Sequence, residues 1–170
     1  AAPDQPLSVV VFLGDRELSD KFYMYEESLR DPLIIFDPRE PADNRGRKEN
    51  AMTLNIDFAP TMLSLAGVML PSGMQGCSLV PLLENRHPAD WRTEFYYEEN
   101  FYPKGIPPSE GVRTERWAYI RWVDEKPPLE ELFDLKTDPL EGHNLAGNSA
   151  YAQKLASLRM RWENYRKKLK

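Results

Sequence analysis

With 170 residues, 41% of them hydrophobic and 29% charged, the chain has the makeup of one globular domain, or one and a piece, and not of a disordered segment. Its net charge of −5 argues against a nucleic-acid partner, because a phosphate backbone calls for a basic face. No apolar run approaches the length of a membrane span, and the first residues show no basic-then-apolar leader, so a soluble chain without a membrane partner is expected.

Leu7 to Leu13 is a continuous apolar, β-branched run, the pattern of a strand covered on both faces in a parallel sheet. A polar loop, Gly14 to Lys21, and an aromatic-rich stretch, Phe22 to Arg30, follow, and Leu33 to Phe36 is a second strand of the same kind. Glu26 and Glu27 are neighbours and do not face one another as a catalytic pair would, whereas Glu26 and Arg30 have i,i+4 spacing for an ion pair. Residues 37–51 read as a surface loop. Asp57 is expected to cap a helix that tolerates Pro60 in its first turn, carries Met62, Leu63, Leu65 and Ala66, and ends at Gly67. Leu79 to Leu83 adds a short turn.

Further along, short aromatic runs at 94–99, 111–113, 117–123 and 131–135 are separated by Pro-Pro loops at 107–108 and 127–128. They predict an antiparallel sheet with one face covered. Asp138-Pro139 makes a turn. Tyr151, Leu155, Leu158, Trp162, Tyr165 and Leu169 form one apolar stripe of a closing helix, capped by Asn148 or Ser149. Lys167, Lys168 and Lys170 suit its C-terminal dipole better than they suit a nucleic-acid patch. The predicted fold class is α/β, with residues 1–90 the edge of a larger, mainly parallel sheet and residues 91–170 a small antiparallel sheet packed by a long helix. Two doubly buried strands leave edges and faces in need of partners, so the isolated chain is expected to self-associate through exposed strand edges.

Cys77 is the lone cysteine, which rules out an internal disulfide or a cysteine-based metal site, and it is expected to be small and partly buried. His87 and His143 lack partners at metal-ligand spacing and receive no role.

The stretch Phe12-Leu13-Gly14-Asp15-Arg16-Glu17-Leu18-Ser19-Asp20-Lys21, followed by Tyr25-Glu26-Glu27-Ser28-Leu29-Arg30-Asp31-Pro32, resembles the sulfatase family of the alkaline-phosphatase superfamily. It is most similar to members acting on sulfated sugars. Further matches follow in the family's order: Asn55 to Thr61, Leu65 to Val68, Met74-Gln75-Gly76, Ser78-Leu79 and Pro81 to Leu83. They continue with Val112-Arg113-Thr114, Trp117 to Arg121, Glu131 to Leu135, Asp138-Pro139 and Asn144-Leu145.

The resemblance implies a hydrolase of sulfuric esters that uses a formylglycine nucleophile and calcium, with fixed cations opposing the growing negative charge of the transition state. Most of that machinery would precede this chain. The family's metal-binding Asp-Asn-Gly position is occupied here by Ser8-Val9-Val10, and its Glu-His-Gly by Arg16 and Glu17, so no metal ligand is assigned. Cys77, in Gly76-Cys77-Ser78-Leu79-Val80-Pro81, lacks the proline and arginine of the formylglycine motif.

Lys21 matches a lysine that reaches the sulfate group. Tyr97, Glu98, Glu99, Arg113 and Arg116 are candidates for the rim of a sulfated-sugar cleft, against the alternative of plain strand alternation. The expected partners are an N-terminal sulfatase portion and a sulfated sugar, and the chain alone is expected to be inactive. The alternatives are a catalytically dead module for binding or assembly and a related phosphoester hydrolase. Family analogy alone suggests an exported protein, whether periplasmic, extracellular or lysosomal.

Overall fold

The computed structural model describes residues 10–13, 22–99 and 107–169. Two compact units emerge, one of residues 1–11 and 35–92, the other of 12–34 and 93–170. Residues 12–34, grouped by sequence with the first domain, therefore cluster with the second unit.

Strands β1 (Val10–Leu13) and β2 (Leu33–Phe36) pair as a two-stranded sheet. Of the expected double cover, the described residues supply one side of β2: Leu33 and Ile35 are half-buried, whereas Ile34 and Phe36 are 59% and 50% exposed. Leu7, Ser8 and Val9 and the loop 14–21 lie outside the described residues.

In the first unit, helix α2 (Phe58–Leu65) ends as predicted at Gly67. The φ of +70° there places Val68 N–H on Leu63 O (2.9 Å) and Gly67 N–H on Ser64 O (3.1 Å), a double closure that satisfies the last carbonyls. Helix α3 (Val80–Leu83) is the short turn expected after Ser78. The loop 37–51 is not featureless: it holds a 3-10 turn at Ala42–Asn44, from which Asn44 Nδ2 donates to the Leu83 carbonyl at the end of α3 (2.6 Å).

Asp57 plays a different part from the expected helix cap. It is fully buried and makes no capping bond to α2. Its carboxylate accepts from Leu54 N–H (2.7 Å) and Cys77 N–H (2.8 Å) and is gripped by Arg92, whose Nη2 sits 2.7 Å from Oδ1. A buried carboxylate persists when both its oxygens are paired in this way. Cys77 itself is exposed, which corrects the expectation of partial burial, although its backbone N–H is bound by Asp57 and its side chain lies near Arg92.

The second unit is built on a four-stranded antiparallel sheet in the order β3 (Glu94–Glu98), β4 (Ser109–Thr114), β5 (Trp117–Trp122), β6 (Leu129–Asp134). β4 begins earlier than its apolar run suggests. Ser109 and Glu110 are buried, and Glu110 Oε2 accepts from Trp162 Nε1 at 2.8 Å and pairs with Arg166 at 3.0 Å.

Side chains alternate between two cores. Val112, Tyr119 and Leu132 face helix α4 (Ala152–Leu169) and pack on Leu155, Leu158 and Trp162, each worth roughly 1.5–3 kcal/mol of burial. Tyr151 and Tyr165 flank that contact, but Leu169 is 51% exposed and drops out of the predicted stripe, because the apolar cluster ends at Tyr165. Asn148 is the cap, its Oδ1 accepting from Ala150 N–H at 3.0 Å in the turn that leads into α4.

The opposite face is covered too, contrary to expectation. Ala118, Ile120, Trp122 and Phe133 pack against Met24, with Tyr23, Tyr25 and Leu29 around it. Gly111 allows this approach: a Cβ there would lie 2.3 Å from Met24 Sδ and 2.2 Å from the Tyr119 carbonyl.

Candidate functional site

The segment that follows Lys21 is held on the sheet by a set of long-range bonds, all within the second unit. Helix α1 (Glu26–Leu29) is a single turn, too short to be stable alone. Its Glu26 carboxylate is forked by Arg113, Nε to Oε1 at 2.6 Å and Nη2 to Oε2 at 2.9 Å. This replaces the i,i+4 pair with Arg30, whose contact with Glu26 is the backbone bond that closes the turn. Both Glu26 and Arg113 are about 85% buried, so their mutual pairing is what makes the burial tolerable.

Tyr25 donates its hydroxyl to Glu131 Oε2 (3.0 Å), which also accepts from Trp122 Nε1 (3.1 Å). Burial first, and then the Glu131 charge, hold the Tyr25 phenol far above its usual pKa, so it remains a donor. Tyr97 donates weakly to the Phe22 carbonyl (3.3 Å), the residue next to Lys21.

Glu141 completes the clamp. It sits at φ +55° in the turn after Asp138-Pro139, and its Oε2 accepts the Glu26 backbone N–H at 2.7 Å. Asp138 shapes that turn by accepting from Gly142 N–H (3.2 Å) and His143 N–H (2.8 Å). Glu141 Oε1 is buried without a hydrogen-bond partner among the described residues. Burial, reinforced by the Glu26 charge, pushes its carboxyl up to about 7.

Lys21, Ser8 and Val9 lie outside the described residues, and Val10 is the first residue of β1. The five rim candidates do not converge on one spot. Tyr97 and Arg113 share the face covered by residues 22–29, as diagonal neighbours in the Tyr97↔Gly111 and Phe95↔Arg113 register. Glu98 points to the other face, opposite Glu110, and Glu99 continues from it with its side chain near the Tyr97 hydroxyl (3.3 Å). Arg116 lies in the β4–β5 turn beyond Thr114, at the other end of the strands from the Glu98↔Glu110 pair, and forks Asp134 (2.8 and 2.6 Å). That fork holds the Asp134 carboxyl below its usual range. Sequence reasoning missed Glu141 and Glu131, whose role depends on partners more than a hundred residues away.

Chemically, this arrangement positions a segment and does not itself make or break bonds. Among the described residues no group of three or more His, Cys, Asp or Glu side chains could hold a metal ion. Val10, the described residue of the Ser8-Val9-Val10 stretch, offers no side-chain oxygen, so the described residues do not fit calcium. Exposed Cys77 lies outside the sequence context in which a formylglycine is made.

Residues 14–168 match the family described as N-sulphoglucosamine sulphohydrolase, C-terminal. The chain belongs to this sulfatase family. Over 163 residues it is 40% identical to an N-acetylglucosamine-6-O-sulfatase from Bacteroides thetaiotaomicron, spanning 94% of this chain and 29% of the relative. A multifunctional alkaline phosphatase superfamily protein from Trinickia caryophylli is 37% identical over 155 residues, 82% of this chain and 29% of that protein. Among solved structures, one in complex with its substrate D-glucosamine-2-N,6-O-disulfate superposes with a TM-score of 0.82 at 37% identity, covering 94% of this chain and 34% of that one.

The chain is thus a sulfatase C-terminal region, spanning about a third of the length of the relatives it matches. The sulfatase motif Asp138-Pro139 through Asn144-Leu145 acquires a physical meaning here. Asn144 Oδ1 accepts from Leu132 N–H (3.1 Å) and Ala146 N–H (2.9 Å), so the turn that carries Glu141 is stitched to β6.

Proposed function

We propose that this chain supplies the substrate-side C-terminal part of a sulfuric ester hydrolase acting on sulfated carbohydrate. In this reading Lys21 meets the sulfate, while nucleophile and metal come from the N-terminal sulfatase portion, the partner of this region. The observation that carries the reading is the clamp: Arg113, Glu131 and Glu141 hold residues 25 and 26, four and five residues past Lys21. Such preorganisation is what a sulfate-binding cation requires to act without reorganising during the reaction. The names of the similar N-acetylglucosamine-6-O-sulfatase and of the glucosamine-disulfate complex support a sulfated amino sugar as substrate.

The test is a graft. Residues 14–170 replace the matching segment of the 40% identical relative, which keeps its own residues up to that point, and release of 6-O-sulfate is measured. The graft should be active, and Lys21→Ala within it should lower kcat/KM by about a hundredfold or more. A folded graft without turnover, or one indifferent to Lys21→Ala, would overturn the reading. The 170-residue chain alone with calcium should not hydrolyse an aryl sulfate, and turnover at stoichiometric enzyme would count equally against it.

A second reading, a catalytically dead module for binding or assembly, is favoured by Ser8-Val9-Val10 at the family's metal position. It predicts that a graft of residues 1–170, which imports those three residues, abolishes the activity that the shorter graft retains. The third reading, a phosphoester hydrolase, draws on likeness to a phosphonate monoester hydrolase of Silicibacter pomeroyi (TM-score 0.76, 27% identity). A graft cleaving a phosphonate ester faster than the sulfated sugar would favour it.

A further inference from the structure

We propose that the cavity between the β4–β5 turn and the first half of α4 is an accessory binding site for a sulfate group carried on a sugar residue. The cavity measures about 220 Å³ and is lined by Thr93, Glu115, Arg116, Trp117, Lys154 and Arg161. It is floored by Leu158, which is only 1% exposed.

Three cations converge on it, and two of them are fixed before any ligand arrives. Arg116 spends Nε and Nη2 on Asp134, which leaves Nη1 free among the described residues. Arg161 spends Nη1 on Glu94 at 2.5 Å, which leaves its other nitrogens. Side chains already immobilised by an ion pair lose little rotamer freedom on binding, so their remaining donors are inexpensive to use.

Lys154 differs from both. Its Nζ rests 5.3 Å from the Trp117 ring centroid and has no carboxylate partner among the described residues. The Arg116 guanidinium lies 5.0 Å from the same centroid, and an ammonium held at a ring without a carboxylate has unused hydrogen-bonding capacity. A tetrahedral anion with several oxygens can accept from a point cation and two guanidinium edges at once. The half-buried Trp117 ring already meets Arg116 (5.0 Å), Lys154 (5.3 Å) and, edge-on, Tyr151 (6.0 Å), so only its remaining exposed part is left to contact a sugar ring.

The volume is below the ~300–1,000 Å³ of sites for drug-sized ligands, so it takes one sugar residue and not a long segment. Glu115 is the discordant element: its side chain lines the cavity, is exposed, and has no partner among the described residues. It should repel an anion, which makes its removal a test of opposite sign.

This inference rests on the sulfated-carbohydrate reading but concerns a site remote from Lys21 in the sequence, and its assay reads binding, not turnover. The 170-residue chain is titrated calorimetrically with glucosamine 6-sulfate, sodium sulfate and unsulfated N-acetylglucosamine at low and high salt, while indole N–H resonances are followed by NMR. Glucosamine 6-sulfate should bind, weaken with salt, and move the Trp117 indole signal. Lys154→Met should weaken binding about tenfold, and Lys154→Met with Arg161→Met further. Glu115→Gln should tighten it, and Lys167→Met, an equal charge change at the far end of α4, should leave it within about twofold.

Binding of free sulfate as tightly as the sulfated sugar would overturn the sugar-borne part of the proposal. Equal weakening by Lys167→Met would reduce the effect to general charge, and no binding at millimolar ligand would overturn the site altogether. A catalytically inactive graft alongside Lys154-dependent binding would dismiss the reaction and keep the site, whereas an active graft without such binding would do the reverse.

Discussion

Glu141 places a proton-sensitive element under the segment that follows Lys21, and the sign and size of its effect can be worked out. Its folded pKa of about 7 exceeds the ordinary 4.5, so between those values the folded chain binds a proton that the unfolded chain does not. The corresponding stabilisation is fully present below pH 4.5 and is lost as pH rises through about 7. At ~1.4 kcal/mol per pH unit the rise would be worth on the order of 3 kcal/mol, and solvent access to part of the side chain reduces that to ~1.5 kcal/mol.

The carboxylates with depressed values, Asp134 among them, contribute in the opposite sense and in a lower pH range. The assay is urea unfolding followed by tryptophan fluorescence at pH 5.5, 6.5, 7.5 and 8.5, for the wild type and for Glu141→Gln, which mimics the protonated acid. The wild type should lose ~1 kcal/mol across that range relative to the variant, the remainder of the ~1.5 kcal/mol being lost between pH 4.5 and 5.5. Parallel pH profiles for the two proteins would refute the reasoning, because they would mean that Glu141 is ionised throughout or that its proton is irrelevant to folding.

Other consequences follow from the packing. Gly111→Ala should cost ~3 kcal/mol or more, and Met24→Ala should not rescue it, because the new methyl also meets the Tyr119 carbonyl; rescue would show that the side chain alone sets the limit. Removing Arg113 alone should cost ~3 kcal/mol by stranding the Glu26 carboxylate, and combining Arg113→Met with Glu26→Met should cost less than the sum in a double-mutant cycle of thermal unfolding. Cys77 should react with one equivalent of an aromatic disulfide reagent in the native state at a rate close to that in urea, and strong protection would contradict its exposure.

Much of the fold was legible in local pattern. The Leu33–Phe36 run, the stripe on α4 as far as Tyr165, the Asn148 cap and the Gly67 stop each rest on interactions within a few residues, where spacing carries the information. What escaped has a common cause. Residues 22–29 show no period, yet they cover a whole face of the sheet, since Met24 and its flanking tyrosines act through tertiary contact and not through a repeating stripe. Ser109 and Glu110 look like loop residues, because the Trp162 indole that makes burying Glu110 acceptable lies 52 positions later. Arg113 and Arg116 read as one pair, but strand alternation and the turn send them to Glu26 and Asp134 respectively. Lys154 and Arg161 carry no signal in the local pattern, and their meeting with the β4–β5 turn is a tertiary contact.

The order in which the second unit is written along the chain bears on how it is made. Residues 25 and 26 find their partners 87 to 115 positions downstream, with the 58 residues of 35–92 folding in between as a separate unit. Closing loops of that length is slow and entropically costly, and during synthesis it has to wait for β6 and the turn carrying Glu141 to emerge. The α4 side of the sheet uses nearer neighbours, with its cap at Asn148 only 14 residues past the end of β6. A nascent chain therefore gains its helix-covered face by local steps while Ile120, Trp122 and Phe133 still wait for Met24. That interval, with an aromatic sheet face open to other chains, is the point at which expression at high concentration should lose material to aggregation, and at which a chaperone that shields such a face should raise the yield.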